Sequence, residues 1–447
     1  MNRMEWQTYL QEAPLILDGA TGTNLQAAGL PSGVCLETWV LEHPQVLADL
    51  QRAFYRAGSD IVYAFTFGAN RIKLGHQGIA EAEVVRYNRE LAAISCAVRD
   101  EIAATGQRPA GRPPMVAGDL APTGEFLAPA GTLSFETLVT IYRQQVTGLL
   151  EAGVDLFVTE TMLDLSQTRA AVLAVREACD LPVMASLTVE QNGRTLSGNS
   201  ILECVIALAA CGADAVGLNC SFGPDGLGQL ARDVLSQSPV PILIKPNAGL
   251  PRLVDGKTVF DMSPSHFATA MADLAAAGVQ LVGGCCGTTP AHIEALAQAL
   301  EKARASGQAA AARQQAQALI AAARSSYEQT ICSGRQTVEL DWDQLSDWPV
   351  VVSNDPDDLP DDVLDAAEDE PGVLVIDLSA ASTDDLDAWL EALDLVQMQT
   401  EIPLIFNGSQ PDILAAVVRR YQGRTAILAS PDSPAVQAIN GAIFKPF

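Results

Sequence analysis

The sequence predicts an eight-stranded parallel α/β barrel, a TIM (β/α)8 fold, followed by a smaller acidic α/β domain. Three observations carry that expectation. Short apolar runs alternate with longer stretches of helical spacing from Leu15 onward, the pattern of strands joined by crossover helices. Eight such runs fall within about 290 residues, close to the ~250 of a typical barrel. Charge then divides the chain: Gln336 to Val418 contains no Lys, Arg or His, while Asp and Glu recur throughout it. That asymmetry marks a second unit. An open, doubly wound sheet is the competing arrangement for the first part.

The runs are Leu15 to Leu17, Ile61 to Tyr63, Met115 to Ala117, Leu156 to Thr159, Val183 to Leu187, Ala215 to Leu218, Ile242 to Ile244 and Leu281 to Val282. Between them, segments such as Pro44 to Ala57, Phe135 to Ala152 and Ser166 to Ala178 carry helical spacing. Several end at a glycine (Gly58, Gly153, Gly212, Gly278), as suits a left-handed residue after the last turn. Residues 1–304 are therefore expected to form the barrel. Residues 305–330 are expected to form a helical connector, because Ser306 to Gln329 is rich in Ala, Gln and Arg. In 331–447, Val350 to Val352, Val373 to Asp377, Pro403 to Phe406 and Thr425 to Leu428 alternate with helical patterns, giving a small acidic α/β domain of about half a barrel's length.

Composition bounds the function. With 48% hydrophobic residues the chain can bury a large core. Its net charge of −27 argues against nucleic acid and anionic membrane surfaces as partners. Neither a signal segment at Met1 to Glu12 nor a membrane-spanning run is visible, so a cytoplasmic protein is expected. Nine cysteines in so long a chain do not make a disulfide scaffold, and in a reducing compartment thiols at strand ends suit metal binding. Cys35, Cys96, Cys179, Cys204, Cys211 and Cys332 are expected to be buried or inert.

In a barrel, sites form where the strands end. Those ends read Asp18-Gly19-Ala20-Thr21-Gly22-Thr23, Phe65-Thr66-Phe67, Gly118-Asp119, Glu160-Thr161, Asn219-Cys220, Lys245-Pro246-Asn247 and Cys285-Cys286. Cys220, Cys285 and Cys286 thus converge on one rim from the sixth and eighth strands. Adjacent cysteines on a regular strand face opposite ways, so both serve one ion only if the chain bends, and Gly283-Gly284 makes that bend cheap. Three thiolates with an open fourth position describe a catalytic zinc site. Their net charge of −1 with Zn²⁺ leaves a bound substrate thiolate deprotonated yet electron-rich. A free thiol, with its pKa of ~8.5, is mostly protonated at neutral pH, so the chemistry indicated is thiolate activation for alkyl transfer.

These stretches resemble the zinc-dependent homocysteine S-methyltransferase family, which includes the first module of cobalamin-dependent methionine synthase and betaine–homocysteine methyltransferase. The resemblance covers about residues 12 to 304. It is carried by Asp18-Gly-Ala-Thr-Gly-Thr, Gly58-Ser-Asp-Ile-Val with Phe65-Thr-Phe, Gly193-Arg-Thr-Leu-Ser-Gly, Gly217-Leu-Asn-Cys with Gly223-Pro, Pro246-Asn-Ala-Gly-Leu-Pro and Gly283-Gly-Cys-Cys. It implies a TIM barrel in which Cys220, Cys285 and Cys286 bind Zn²⁺ and homocysteine adds its sulfur as the fourth ligand. It further implies that Asp18 and Glu160 hold the amino-acid end, with Asn219, Asn247, Thr66 and the first-loop backbone at Gly19 nearby.

The expected reaction is methyl transfer to homocysteine, giving methionine, from a corrinoid-type donor: methylcobalamin carried by a separate protein. A small donor such as S-methylmethionine or betaine, or another thiol or selenol acceptor, is the rival within enzymes. A non-catalytic docking subunit for a corrinoid protein is the rival outside them. The acidic part resembles more faintly the first half of the pterin-binding barrel that follows the homocysteine module in methionine synthase. Gly372 to Leu378 and Ile402 to Ser409 stand where that family has similar strands, but Asn407 replaces its usual aspartate. Folate binding, docking and a vestigial role all stay open there.

Weaker signals read as structure. Gly223-Pro-Asp-Gly-Leu-Gly lacks the spacing of a dinucleotide fingerprint. His76 lies outside any Asp-x-His-x-x-Gly cobalamin pattern, and His43, His266 and His292 sit at helix starts.

Overall fold

A computed structural model describes residues 2–10, 13–31, 33–107, 112–254, 257–428 and 442–445. The barrel strands are β1 (Leu15–Ile16), β2 (Ile61–Tyr63), β3 (Met115–Leu120), β4 (Leu156–Met162), β5 (Val183–Leu187), β6 (Ala215–Asn219), β7 (Ile242–Lys245) and β8 (Leu281–Val282). All pair in parallel, in the order β1-β8-β7-β6-β5-β4-β3-β2. A bridge between Leu17 and Ile61 joins the first strand to the second, which rules out the open doubly wound sheet. Asp60 fastens this seam: its Oδ2 accepts from Ile16 N at 2.7 Å and its own N donates to Ile16 O at 2.6 Å.

Alternation along the strands builds two cores. Leu15, Leu17, Ile61, Met115, Leu156, Val158, Met184, Ala215, Leu243 and Leu281 form one buried cluster. Val62, Val116, Phe157, Val183, Ala185, Val216 and Ile244 belong to another, with Phe54, Tyr142, Phe267 and Leu296 of the surrounding helices. A short helix before β1, Arg3–Leu10, was not expected from its polar sequence. It contributes fully buried Trp6 to the first cluster, packed with residues of the strands. Gly58, Gly153, Gly212 and Gly278 all take positive φ after their helices, as read from the sequence.

Within 305–330 the chain forms the helix Gln308–Tyr327, which buries Ala316 and Ala323. Beyond it, five parallel strands lie side by side in chain order: Val350–Val352, Leu374–Asp377, Leu404–Asn407, Ala426–Leu428 and Ile443–Lys445. The last was not anticipated. Three helices (Leu359–Ala367, Leu386–Gln399, Pro411–Arg420) cover one face around Trp389, Phe406 and Tyr421. The other face, carrying Val375, Ile405, Ala426 and Leu428, is covered by Ile331 of an unforeseen hairpin (Thr330–Cys332 with Thr337–Glu339) and by Leu340, Trp342 and Trp348. A sheet with apolar side chains on both faces needs both covered, and here the helices cover one face and the hairpin region the other. Of the 331–447 stretch, residues 429–441, 446 and 447 lie outside the described residues.

This unit is joined to the barrel's outer helices. Arg169, buried, donates to the carbonyls of Val418 and Arg419, at the end of a helix whose last carbonyls lack intrahelical partners. Arg419 pairs with Glu136 at 2.7 Å, and Asn199 Nδ2 donates to Gly334 O at 3.1 Å. Among the described residues no helix is long and apolar enough to cross a membrane.

Candidate metal and substrate site

Three sulfurs meet at the C-terminal rim. Cys220 follows β6 and takes φ 63°, with Ser221 at 55°; a left-handed turn of this kind is uncommon for residues with a side chain. It bends the chain off the strand line. Cys220 N donates to Lys245 O at 3.1 Å, Cys285 N to Pro246 O at 2.7 Å, and Cys286 O accepts from Ala248 N at 2.9 Å. The loop after β7 therefore lies between the two cysteine loops and fixes both.

Gly283 and Gly284 do not work as the sequence suggested. Neither takes positive φ; what they permit is close approach. A Cβ on Gly283 would sit 2.7 Å from Leu17 Cβ, and one on Gly284 2.4 Å from Thr288 Oγ1. Thr288 Oγ1 in turn donates to Cys285 O at 2.6 Å and accepts from Ala20 N at 3.0 Å, so the cysteine pair is braced against the first loop.

The Sγ atoms of Cys220, Cys285 and Cys286 all lie within 4.8 Å of one another, and among the described residues they form the one such group of metal-ligand type. Thiolates bound at ~2.3 Å to a tetrahedral zinc stand roughly 3.8 Å apart, a spacing this group can meet. Their protonation fits a cation as well. Hydrogen bonds from Cys285 and Cys286 hold Cys220 down to about 3, while that thiolate and burial push Cys285 up to about 11 and Cys286 higher still. One proton leaves easily; the next two are opposed by the charge already present, and a divalent cation removes that opposition. Asn247 supports the Cys220 thiolate, and Asn219 Nδ2 donates to Cys285 Sγ at 3.8 Å.

A cavity of about 600 Å³ opens beside the sulfurs, within the ~300–1,000 Å³ of small-molecule sites. Gly19, Glu160, Cys220, Cys285 and Cys286 line it, as do Tyr63, Asp119 and Lys245. The other expected contacts lie behind the wall. Asp18 is 1% exposed, its Oδ2 accepting from Tyr63 N at 2.8 Å and its Oδ1 paired with Lys245 Nζ at 2.9 Å. Thr66, fully buried, donates to Asp119 O at 2.8 Å. Asn219 is held by Thr161 N and the Ser186 hydroxyl, so both asparagines reach sulfur from beneath.

Lys245 is the residue that the sequence reading passed over. Its Nζ lies 2.9 Å from Asp18 Oδ1, 3.0 Å from Glu160 Oε1 and 3.9 Å from the Tyr63 ring centroid. The signal was there: a lysine ending an otherwise apolar strand, in register with Asn219. Asp119, a strand end in the sequence, has a buried Oδ1 without a hydrogen-bond partner among the described residues. Cys35, expected to be buried or inert, is half-buried on the cavity wall, and His76 is there too. His292 is structural as expected, completing a capping box with Thr289.

Burial raises Glu160 to about 7 against the opposing pull of Lys245, with Cys285 and Asp18 adding to the rise. Such a carboxyl is charged above that pH and neutral below it. Capture of a substrate ammonium needs the charged form, so KM for an amino-acid thiol is expected to rise as pH falls through about 7. Steady-state kinetics from pH 5.5 to 8.5, with Glu160→Gln flattening that limb, check it.

Fold and rim together define a class: a parallel α/β barrel with three thiols grouped at the C-terminal rim beside a cavity. The family model described as homocysteine S-methyltransferase matches residues 15–300, and the chain belongs to that family. Methionine synthase of Mycobacterium tuberculosis is 35% identical over 303 residues, 65% of this chain and 25% of that protein. Its Mycobacterium leprae counterpart is 33% identical over 305 residues, 66% and 25%. The chain thus spans about a quarter of the length of the curated relatives it matches. The crystal structure of the homocysteine methyltransferase MmuM from Escherichia coli, in its metallated form, superposes with TM-score 0.57 and 25% identity, covering 66% of this chain and 99% of that one.

Proposed function

We propose that this chain transfers a methyl group to the thiol of homocysteine, forming methionine, with Cys220, Cys285 and Cys286 holding a zinc ion. The observation that carries this is the triplet of sulfurs sharing one cavity with a carboxylate and an ammonium suited to an amino acid. Bound there, zinc would supply the Lewis acidity that keeps a substrate thiol deprotonated at neutral pH. The chain's own residues do the rest. Glu160 takes the substrate ammonium, Asp18 holds Lys245 in place, and Asn219 and Asn247 steady the cysteine sulfurs. The apolar walls at Val34, Leu36, Phe65 and Phe67 limit water around the sulfur.

For the donor, the reading is methylcobalamin carried by a separate corrinoid protein, supported by the identity to methionine synthases over the barrel. A small donor, S-methylmethionine or betaine, is the second reading. Supporting it are the near-complete match to a homocysteine methyltransferase chain and the cavity's size. Methionine formation by purified protein offered methylcobalamin, a methylated corrinoid protein, S-methylmethionine or betaine separates the two. No product from any donor would leave the docking-subunit reading. All nine cysteines are unpaired, which suits a reducing cytoplasm.

The acidic domain, 331–447, we read as a docking element for the carrier protein. A chain cut after Arg304 keeps the eight strands and every candidate ligand, although it uncovers Arg169. It is expected to melt lower yet use free methylcobalamin as well as the full chain does. With the methylated corrinoid protein the full chain should be faster at low salt, and should lose that advantage as the Debye length shrinks below ~10 Å above 0.1 M. Equal rates at every salt concentration would remove the docking role.

A further inference from the structure

We propose that Lys245 makes this pocket specific for a zwitterion: its ammonium receives the α-carboxylate of the substrate while Glu160 receives the α-ammonium. The inference rests on the homocysteine reading and adds a residue and a selection rule to it. Two carboxylates alone would accept any aminothiol. The structure places a third charge between them.

Asp18 is not open to a ligand, because Tyr63 N and Lys245 occupy its two oxygens at 2.8 and 2.9 Å. Asp18 and Lys245 are therefore a fixed pair, with side chains 1% and 4% exposed. Glu160 differs. It lines the cavity, and its partner is the same Lys245 ammonium at 3.0 Å. An entering ammonium that takes Glu160 frees one N–H of Lys245 toward the cavity, which Lys245 also lines. The carboxylate of the same molecule then meets it. One buried ion pair is exchanged for two, and no charge is left without a partner, which would otherwise be costly to bury.

Neither half of the zwitterion can make this exchange alone. An aminothiol without the carboxylate displaces Lys245 from Glu160 and offers it nothing. A mercapto-acid without the amine must compete with Glu160 for Lys245. Tyr63, whose ring lies under the ammonium at 3.9 Å, keeps the lysine at this level of the rim.

The experiment uses the full zinc-loaded chain with free methylcobalamin and three acceptors: homocysteine, 3-mercaptopropylamine and 4-mercaptobutanoate. Wild type is expected to prefer homocysteine over each analogue by about 10- to 150-fold in KM. Lys245→Met should raise the homocysteine KM by that same factor with zinc retained, and should lower the 3-mercaptopropylamine KM, because no lysine then competes for Glu160. Lys245→Arg should recover part of the loss. Equal rises for both acceptors in Lys245→Met would make Lys245 a plain brace and overturn the proposal, as would no change in either. If Lys245→Met does not fold, competition on wild type decides: a carboxylate-free thiol that inhibits as strongly as homocysteine binds overturns the proposal. Wild type that fails to bind homocysteine at all overturns the homocysteine reading, and this one with it.

Discussion

Replacing Cys220, Cys285 or Cys286 by alanine is expected to strip zinc and reduce methyl transfer to background while the barrel stays folded. The three sulfurs lie within 4.8 Å of one another at strand ends, outside the apolar clusters that hold the barrel together. Truncating one therefore costs little packing. It does remove a third of the donor set, and two thiolates leave the metal exposed to exchange with solvent. A fall in kcat/KM of at least about 10³-fold, roughly 4 kcal/mol of transition-state stabilisation, is expected. Elemental analysis and thermal melts on each variant check it. Full zinc occupancy in all three would remove these cysteines from the site.

Glu160→Gln is expected to weaken homocysteine capture while zinc is retained. Its carboxylate lines the cavity and is not among the grouped metal-ligand donors. Its loss removes a charge-assisted hydrogen bond to the substrate ammonium, about 1.5 to 3 kcal/mol, or roughly 10- to 150-fold in affinity. The amide also leaves Lys245 with Asp18 alone, so the lysine should hold the substrate carboxylate no less well. Isothermal titration with homocysteine beside a zinc assay separates the two effects. Unchanged affinity would take Glu160 out of substrate binding.

The sulfur triplet was legible because metal ligands must converge and strand ends in a barrel do so by construction. Cys220 at the sixth end and Cys285-Cys286 at the eighth could be placed together without coordinates. What bends the chain was not legible. The left-handed turn falls on Cys220 and Ser221 themselves, and the paired glycines admit Leu17, some 260 residues away in sequence, and the nearby Thr288, which the first loop holds through Ala20 N.

Strand β4 shows a similar limit. Read as ending at Thr159, it continues to Met162 through a register shift against β5, and Thr161 takes φ 57° within it. That irregularity carries Glu160 onto the cavity wall. Lys245 was missed because its role depends on β1, β4 and β7 closing around one point, which a linear reading does not show. In the acidic domain the strand pattern was readable from apolar runs. The hairpin and the tryptophans that cover its second face lie in a stretch without clear periodicity.

The most direct measurement is zinc-edge X-ray absorption on the purified, full-length protein, before and after homocysteine is added. Three sulfur scatterers near 2.3 Å, the usual zinc–thiolate distance, with a lighter fourth atom are expected at first. Four sulfurs are expected once homocysteine is present. A protein without stoichiometric zinc, or a coordination shell that homocysteine leaves unchanged, would contradict thiol activation at Cys220, Cys285 and Cys286.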